Sequence, residues 1–281
     1  MEKLGRSGDS FIIGENTIIK VCHSNQGRFE KSFEKQMTFN SQFIKAVPII
    51  KHEQINGKWH ITMPYLKCDN SMIWISKASA DEIDELVKNI IGYFENQIDE
   101  SIVREFDSEA WNNKLNDLRS KIDDHILLEI IEWLESFRPA NRLYYGKSHG
   151  DLTLTNLLIS NDDGLEINAI DFLDVFVESI IMDICKWRQD TAHFWTLNII
   201  ENKTRIDMNR VKLLLSYIDT KIDQFMNKNE VLHEYYLPFQ ILNLMRILPY
   251  NINDPKIQNY LKDEIVKLYN ARNNIDNSCC W

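Results

Sequence analysis

An aspartate, an asparagine five residues later and a second aspartate closing an apolar run constrain this chain more than any other feature. They stand in Ser148-His149-Gly150-Asp151-Leu152-Thr153-Leu154-Thr155-Asn156 and in Ile170-Asp171-Phe172. Phosphoryl transfer to a hydroxyl needs a carboxylate beside the nucleophile and oxygen ligands for magnesium. It needs no covalent intermediate, because positioning and charge neutralisation carry most of the catalysis. Asp151, Asn156 and Asp171 have the chemistry for those roles. The surroundings read as strands around a loop: 143–145 enters it, and 157–159 and 165–170 pair across Asn161-Asp162-Asp163-Gly164, a turn signal. Taken alone, the His-Gly-Asp run also fits an ordinary turn and Asp171 a strand-end carboxylate.

At 281 residues, 44% of them hydrophobic, the chain has room for one large domain or two lobes with a sizeable core. A formal charge of -10 argues against nucleic-acid and anionic-membrane partners, which want basic clusters. No apolar run reaches the roughly 18 residues of a membrane span, so none is expected. Residues 1–6 carry no apolar signal region. The five cysteines have no Cys-x-x-Cys spacing, which reads as reduced thiols in a cytoplasmic protein rather than a zinc site.

The spaced set His149-Gly150-Asp151, Asn156 and Ile170-Asp171-Phe172 resembles the Brenner-type motif of the aminoglycoside phosphotransferase and choline kinase group, the small-molecule branch of the protein-kinase-like fold. The resemblance implies an α+β, bilobal architecture. Residues 1–66 would form a nucleotide-binding lobe, a small antiparallel β-sheet with one helix, with a hinge at 63–66. Residues 67–281 would form a mainly helical lobe carrying the catalytic loop and acceptor site. It also implies ATP or GTP with Mg2+, Asp151 as the catalytic residue, and Asn156 and Asp171 as metal ligands.

Residues 1–22 read as three short strands, the third apolar and β-branched except for Lys20. A lone strand lysine is ordinarily an edge or solvent-face residue; the resemblance instead gives Lys20 the α- and β-phosphates. Residues 28–43 have helix composition, with Phe29, Phe33 and Met37 on one side and Glu30 and Glu34 one turn apart. The family's carboxylate partner for the lysine matches Glu34 best, with Glu30 as the alternative. Gly5-Arg6-Ser7 matches the family's serine-bearing phosphate loop, making Ser7 its candidate; a plain turn is the other reading. Asn56-Gly57 closes a hairpin between 46–53 and 58–63. In Met63-Pro64-Tyr65-Leu66 the resemblance implies an adenine-reading hinge. Pro64 offers a carbonyl but no N–H, Leu66 supplies the N–H, and Met63 backs the pocket.

Residues 68–80 read as a linker, and Ser79-Ala80-Asp81-Glu82 opens a helix with a capping box. Further helices are expected over 107–122, 124–138, 178–200, 207–226, 230–248 and 255–273, the last begun by Asp254-Pro255. Leu173 replaces the glycine of a protein kinase's Asp-Phe-Gly and no Ala-Pro-Glu follows, so no peptide-docking segment is expected. Asp174 and Glu178 stand close behind Asp171 as substrate or metal-shell carboxylates, or as plain helix N-terminal ones. Asp183 matches the family's structural aspartate. Trp187, Arg188 and Asp190 join Asp174 as acceptor-site candidates, because aromatic faces stack on rings and charged groups fix hydroxyls; core aromatics with a solvated charged face are the competing reading. The acceptor is read as a small-molecule hydroxyl, sugar or sugar-like, with an aminoglycoside or a choline-like amino alcohol as alternatives. A nucleotide-binding pseudokinase is the reading from another class. It calls for loss of the lysine, asparagine or metal aspartate, and none is lost.

Overall fold

Alternating side chains and one Asn-Gly turn build the N-terminal sheet of the computed structural model, which describes residues 2–4, 9–22, 26–161, 164–200 and 206–276. Strands β1 (Glu2–Leu4), β2 (Ser10–Ile13) and β3 (Thr17–Cys22) precede helix α1 (Gln26–Thr38). Then come β4 (Lys45–Ala46), β5 (Lys51–Ile55), β6 (Lys58–Pro64), β7 (Asp69–Asn70), α2 (Ser71–Lys77) and α3 (Ala80–Asp99). Strand β8 (Ile102–Arg104), α4 (Ser108–Arg119), α5 (His125–Glu135) and β9 (Leu143–Tyr145) lead to the motif, followed by β10 (Leu157–Ser160) and β11 (Glu166–Ala169). The chain ends in α6 (Ile180–Thr191), α7 (Trp195–Ile199), α8 (Met208–Met226), α9 (Glu230–Met245) and α10 (Pro255–Asp276).

The first sheet has the order β1-β2-β3-β6-β5. Its register pairs Lys20 with Phe11 on one side and Ile61 on the other. Side chains alternate along a strand, so Ile18, Lys20 and Cys22 share one face with Trp59, Ile61 and Met63. Helix α1 covers that face: Phe33 is buried against Cys22, Ile61 and Met63, a burial that contributes about 2–3 kcal/mol. Asn56 (φ 52°) and Gly57 (φ 77°) are both left-handed, as a two-residue type I′ turn demands. A second sheet, β4-β11-β10-β7, is antiparallel except that β4 runs parallel to β11. Register Leu157↔Ala169 in the β10–β11 pair sets the ends of the motif side by side.

Several boundaries differ from the expected ones. Residues 68–80 are no linker: Asn70 caps α2 through Met72 N–H (2.9 Å), and Met72, Trp74 and Ile75 are buried. That helix has only seven residues, too few for its period to register in sequence. The expected helix 178–200 breaks into α6 and α7 at Phe194, whose φ of 50° is left-handed. Residues 46–53 form two strands, β4 and β5, rather than one. The capping box does form: Ser79 N–H donates to Glu82 Oε2 (2.6 Å), and Glu82 N–H to Ser79 Oγ (3.3 Å).

The chain forms two compact units, one of Met1–Asn96, His149–Val175 and Thr204–Val211, the other of Gln97–Ser148, Phe176–Lys203 and Lys212–Trp281. They follow contacts rather than chain order, and the catalytic hairpin shares a unit with the N-terminal sheet. In the second unit an aromatic cluster centres on Trp111, fully buried, whose Nε1 donates to Leu134 O (3.0 Å). Among the described residues no helix is long and apolar enough to cross a membrane.

Candidate active site

Lys20 projects from the α1-covered face of β3 and meets two carboxylates, Asp171 Oδ1 at 2.9 Å and Asp9 Oδ2 at 3.4 Å. Burial pulls its pKa down, but Asp171, through charge and hydrogen bond, and Asp9 raise it further, so the net shift is upward and the amine stays charged. Burial pushes the neighbouring Cys22 thiol up to about 12, which leaves it inert.

The expected pairing of Lys20 with Glu34 is not what the structure holds. Glu34 and the alternative Glu30 are both exposed. The inward face of α1 is taken by Phe29, Phe33 and Gln36, with Gln36 Nε2 donating to Val47 O (2.7 Å). Met37, expected on that side, is 47% exposed. The helix instead offers Lys35 Nζ to Leu173 O (2.9 Å), Ser32 Oγ as acceptor for Asp174 N–H (3.3 Å) and Lys31 to Asp174 (3.7 Å).

The catalytic loop is held by its own backbone. Gly150 has a φ of 85°, and a Cβ there would lie 2.2 Å from Leu173 O. His149 is fully buried, its ring 4.2 Å from that of Phe172. Asp151 N–H donates to His149 Nδ1 (3.2 Å), and His149 Nε2 lies 2.9 Å from Ile170 O. Both bonds form together only in the neutral imidazole protonated on Nε2. His149 is thus a brace and has no acid to offer in this state. Leu173 N–H closes the bracket on His149 O (3.0 Å).

Asn156 completes the arrangement. Its Nδ2 donates to Asp151 O (2.8 Å) and Asp151 Oδ2 (2.9 Å), while its backbone carbonyl accepts from Ile170 N–H (3.0 Å). Asp171 follows with a φ of 61°, a conformation uncommon for residues other than glycine. Such outliers concentrate where function over-determines the backbone. Asp151, Asn156, Asp171 and Lys20 therefore lie in one hydrogen-bonded assembly within one unit. In the other unit, Ser148 Oγ donates to Glu178 Oε2 (3.0 Å) and Gly146 N–H to Glu178 O (3.1 Å), so Glu178 braces the entry to the loop.

In the hinge segment Pro64 pairs with Thr17 and Met63 with Ile18, Met63 is buried, and Tyr65 N–H is taken by Asn16 O (2.9 Å). Ser7 lies outside the described residues. The acceptor-wall candidates on α6 are internal. Trp187 is fully buried. Arg188 donates through Nε and Nη2 to Asp219 (3.0 and 2.9 Å) and through Nη1 to Asp223 (3.0 Å), with its guanidinium 4.4 Å from the Tyr236 ring. Asp190 is buried and receives Thr196 N–H (2.8 Å) at the start of α7. Eleven of the twelve residues of α6 are buried, and its charged Arg188 and Asp190 find their partners inside the unit. Asp174 alone of the four is partly exposed, at 33%. Asp183 is buried. Sequence reading missed Asp9, which resembles any turn aspartate until the β2–β3 register brings it beside Lys20.

This α+β arrangement is the protein-kinase-like fold shared by aminoglycoside phosphotransferases and choline/ethanolamine kinase family proteins. No family model and no curated protein matches the chain in sequence. Among solved structures, APH(2")-IIia in its GDP and kanamycin complex superposes with a TM-score of 0.62 at 12% identity, over 95% of this chain and 90% of that one. A thermostable mutant of aminoglycoside phosphotransferase APH(4)-Ia gives 0.59 at 11%, over 96% and 94%. A choline/ethanolamine kinase family protein from Mesorhizobium loti gives 0.58 at 8%, over 96% and 87%.

Proposed function

We propose that the chain is a Mg2+-dependent phosphotransferase that moves the γ-phosphate of ATP or GTP to a hydroxyl of a small molecule. The observation that carries it is the linkage of Lys20 to Asp171 (2.9 Å) and of Asn156 to Asp151 (2.9 Å), joined by Ile170 N–H on Asn156 O (3.0 Å). A strand lysine, a loop carboxylate and two oxygen donors are the parts that phosphoryl transfer needs together.

In this reading Lys20 binds the non-transferred phosphates. Asn156 commits its side-chain Nδ2 to Asp151 and keeps Oδ1 for a cation; Asp171 keeps Oδ2. Two hard oxygens fit Mg2+ and would hold it. The ion, when bound, neutralises charge on the phosphoryl oxygens. Asp151 orients the acceptor hydroxyl and takes its proton late, since a loose transition state needs no early deprotonation. At the hinge, Pro64 lacks an N–H and Tyr65 has spent its own on Asn16, so Leu66 N–H and Pro64 O are the groups assigned to the purine. Ser7 keeps its phosphate-loop assignment. Residues 1–66 supply the nucleotide half, and 67–281 the catalytic loop and acceptor half.

The acceptor class we favour is a sugar or sugar-like molecule. Kanamycin and hygromycin B, named in neighbours' complexes, are hydroxylated ring compounds, which supports that choice. Need for ATP and magnesium puts the reaction in the cytoplasm. Nucleotide consumption against a panel of sugars, aminoglycosides and amino alcohols tests the reading. Asp151→Asn is expected to bind nucleotide as before and to lose turnover by about a hundredfold or more. Normal turnover by that variant would sink the role given to Asp151. Tight nucleotide binding with no turnover on any acceptor would favour the pseudokinase.

A further inference from the structure

We propose that Asp9, and not a carboxylate of α1, is the positioning residue that orients Lys20 toward the nucleotide phosphates. The inference rests on the phosphotransferase reading above. Three observations carry it.

The first is register. Phe11 stands opposite Lys20, and Ser10 opposite Val21. Asp9 extends β2 by one residue, so alternation puts it on the face of Phe11 and Lys20, diagonal to the lysine. A lysine spans such a diagonal, and Nζ lies 3.4 Å from Asp9 Oδ2.

The second is burial. Asp9 is 2% exposed, whereas the Asp171 side chain is 31% exposed. A carboxylate out of water needs a cation close by, and Lys20 Nζ stands at that distance. Asp171 is also the residue assigned to Mg2+. When it serves the metal, Asp9 is the carboxylate still fixed beside Lys20.

The third is the state of α1. Its Glu30 and Glu34 both face solvent. The positions it turns toward the segment behind Asp171 are Ser32 and Lys35, which engage Asp174 N–H and Leu173 O. A glutamate in place of Lys35 would meet that carbonyl oxygen with like partial charge. The orienting anion has therefore moved from the helix to the sheet.

A double-mutant cycle tests this. ATP and adenosine binding are measured by calorimetry, in the presence of Mg2+, for the wild type, Asp9→Asn, Lys20→Met, the double variant and Glu34→Gln. Asp9→Asn is expected to weaken ATP about tenfold and to leave adenosine unchanged, because only phosphates read Lys20. In the Lys20→Met background it should add nothing further. Asp9→Glu should restore part of the loss, and Glu34→Gln should match the wild type. A general structural role would weaken ATP and adenosine alike and overturn the inference. So would full additivity of Asp9→Asn and Lys20→Met, or an ATP-specific loss in Glu34→Gln. Circular dichroism checks folding, and Asp9→Ser takes the place of the amide if that variant does not fold. A wild type that binds neither ATP nor GTP removes the phosphotransferase reading and this inference together, with GTP and guanosine replacing ATP and adenosine if only GTP binds; nucleotide binding unaffected by Asp9→Asn removes this inference alone.

Discussion

Replacing Gly150 by alanine tests the loop at its tightest point. The residue sits at φ 85°, where an L-residue costs about 1–2 kcal/mol. A Cβ would stand 2.2 Å from Leu173 O and 3.0 Å from Val175 Cγ1. The nearer atom is backbone, so no rotamer relieves the contact and the 173 segment must retreat. That segment is tied to the loop by Leu173 N–H on His149 O (3.0 Å), and losing the bond costs about 1 kcal/mol more. The sum is about 2–3 kcal/mol of stability. The same retreat displaces Asp151 relative to Asp171, and a shift near 1 Å at reacting groups costs about a hundredfold in rate. Urea unfolding and turnover measured on one preparation should show both losses. Gly164 is the control: it too has positive φ, at 107°, but nothing lies within 4 Å of its Cβ position. Gly164→Ala should cost only the conformational strain and leave turnover intact. A Gly150→Ala enzyme with wild-type midpoint and rate would refute the packing argument.

Two other sites give independent checks. Arg188→Ala leaves Asp219, largely buried, to the Thr191 hydroxyl while the half-exposed Asp223 turns to water, and should cost about 2–3 kcal/mol, with Arg188→Lys failing to restore it because the two-point contact needs the planar fork; an unchanged unfolding midpoint with altered acceptor affinity would return Arg188 to the acceptor site. Hydrogen bonding from His193 (Nδ1–Oε2 2.9 Å), followed by Lys267 (2.6 Å), holds Glu264 below the ordinary glutamate range. A depressed carboxylate contributes stability that is present above its unfolded pKa and lost as pH falls through the folded one. Glu264→Gln should therefore be less stable than wild type near neutrality and fall less steeply on acidification below roughly pH 4.5, read by urea unfolding across that range; parallel pH curves would show that the contact contributes nothing.

Local signals carried most of the architecture. The Asn56-Gly57 turn, the Ser79–Glu82 capping box and the three-four spacing from Ile83 to Phe94 each act within a few residues, and each is present as read. Failures came where an element was too short or its phase too finely set. Helix α2 has seven residues and opens in a polar run, Cys68-Asp69-Asn70-Ser71, that looks like loop. In α1 an apolar stripe of Phe29, Phe33 and Met37 looks continuous, but the buried stripe is Phe29, Phe33 and Gln36. One helical position turns the face by about 100°. That rotation puts Glu34 with Met37 on the solvent side, so an error of one residue in phase became an error in partner assignment.

The same distinction separates the legible half of the site from the other. Asp151, Asn156 and Asp171 are adjacent because a hairpin of short loops brings them together, and spacing alone conveys that. Left-handed Asp171 and buried Asp9 depend on register between strands, which no single segment encodes. Helix α6 is the sharpest instance. Its tryptophan, arginine and aspartate read as a wall able to stack on and hold a polar ligand. The partners of Arg188, Asp219 and Asp223, stand far along the chain, and Asp190 takes the Thr196 amide beyond the helix break at Phe194. A largely buried helix must satisfy its buried charges internally, and it then looks in sequence like one built to bind. Substitutions along α6 should accordingly register as stability, whereas acceptor choice is better sought at Asp174, the candidate that keeps a third of its side chain in solvent.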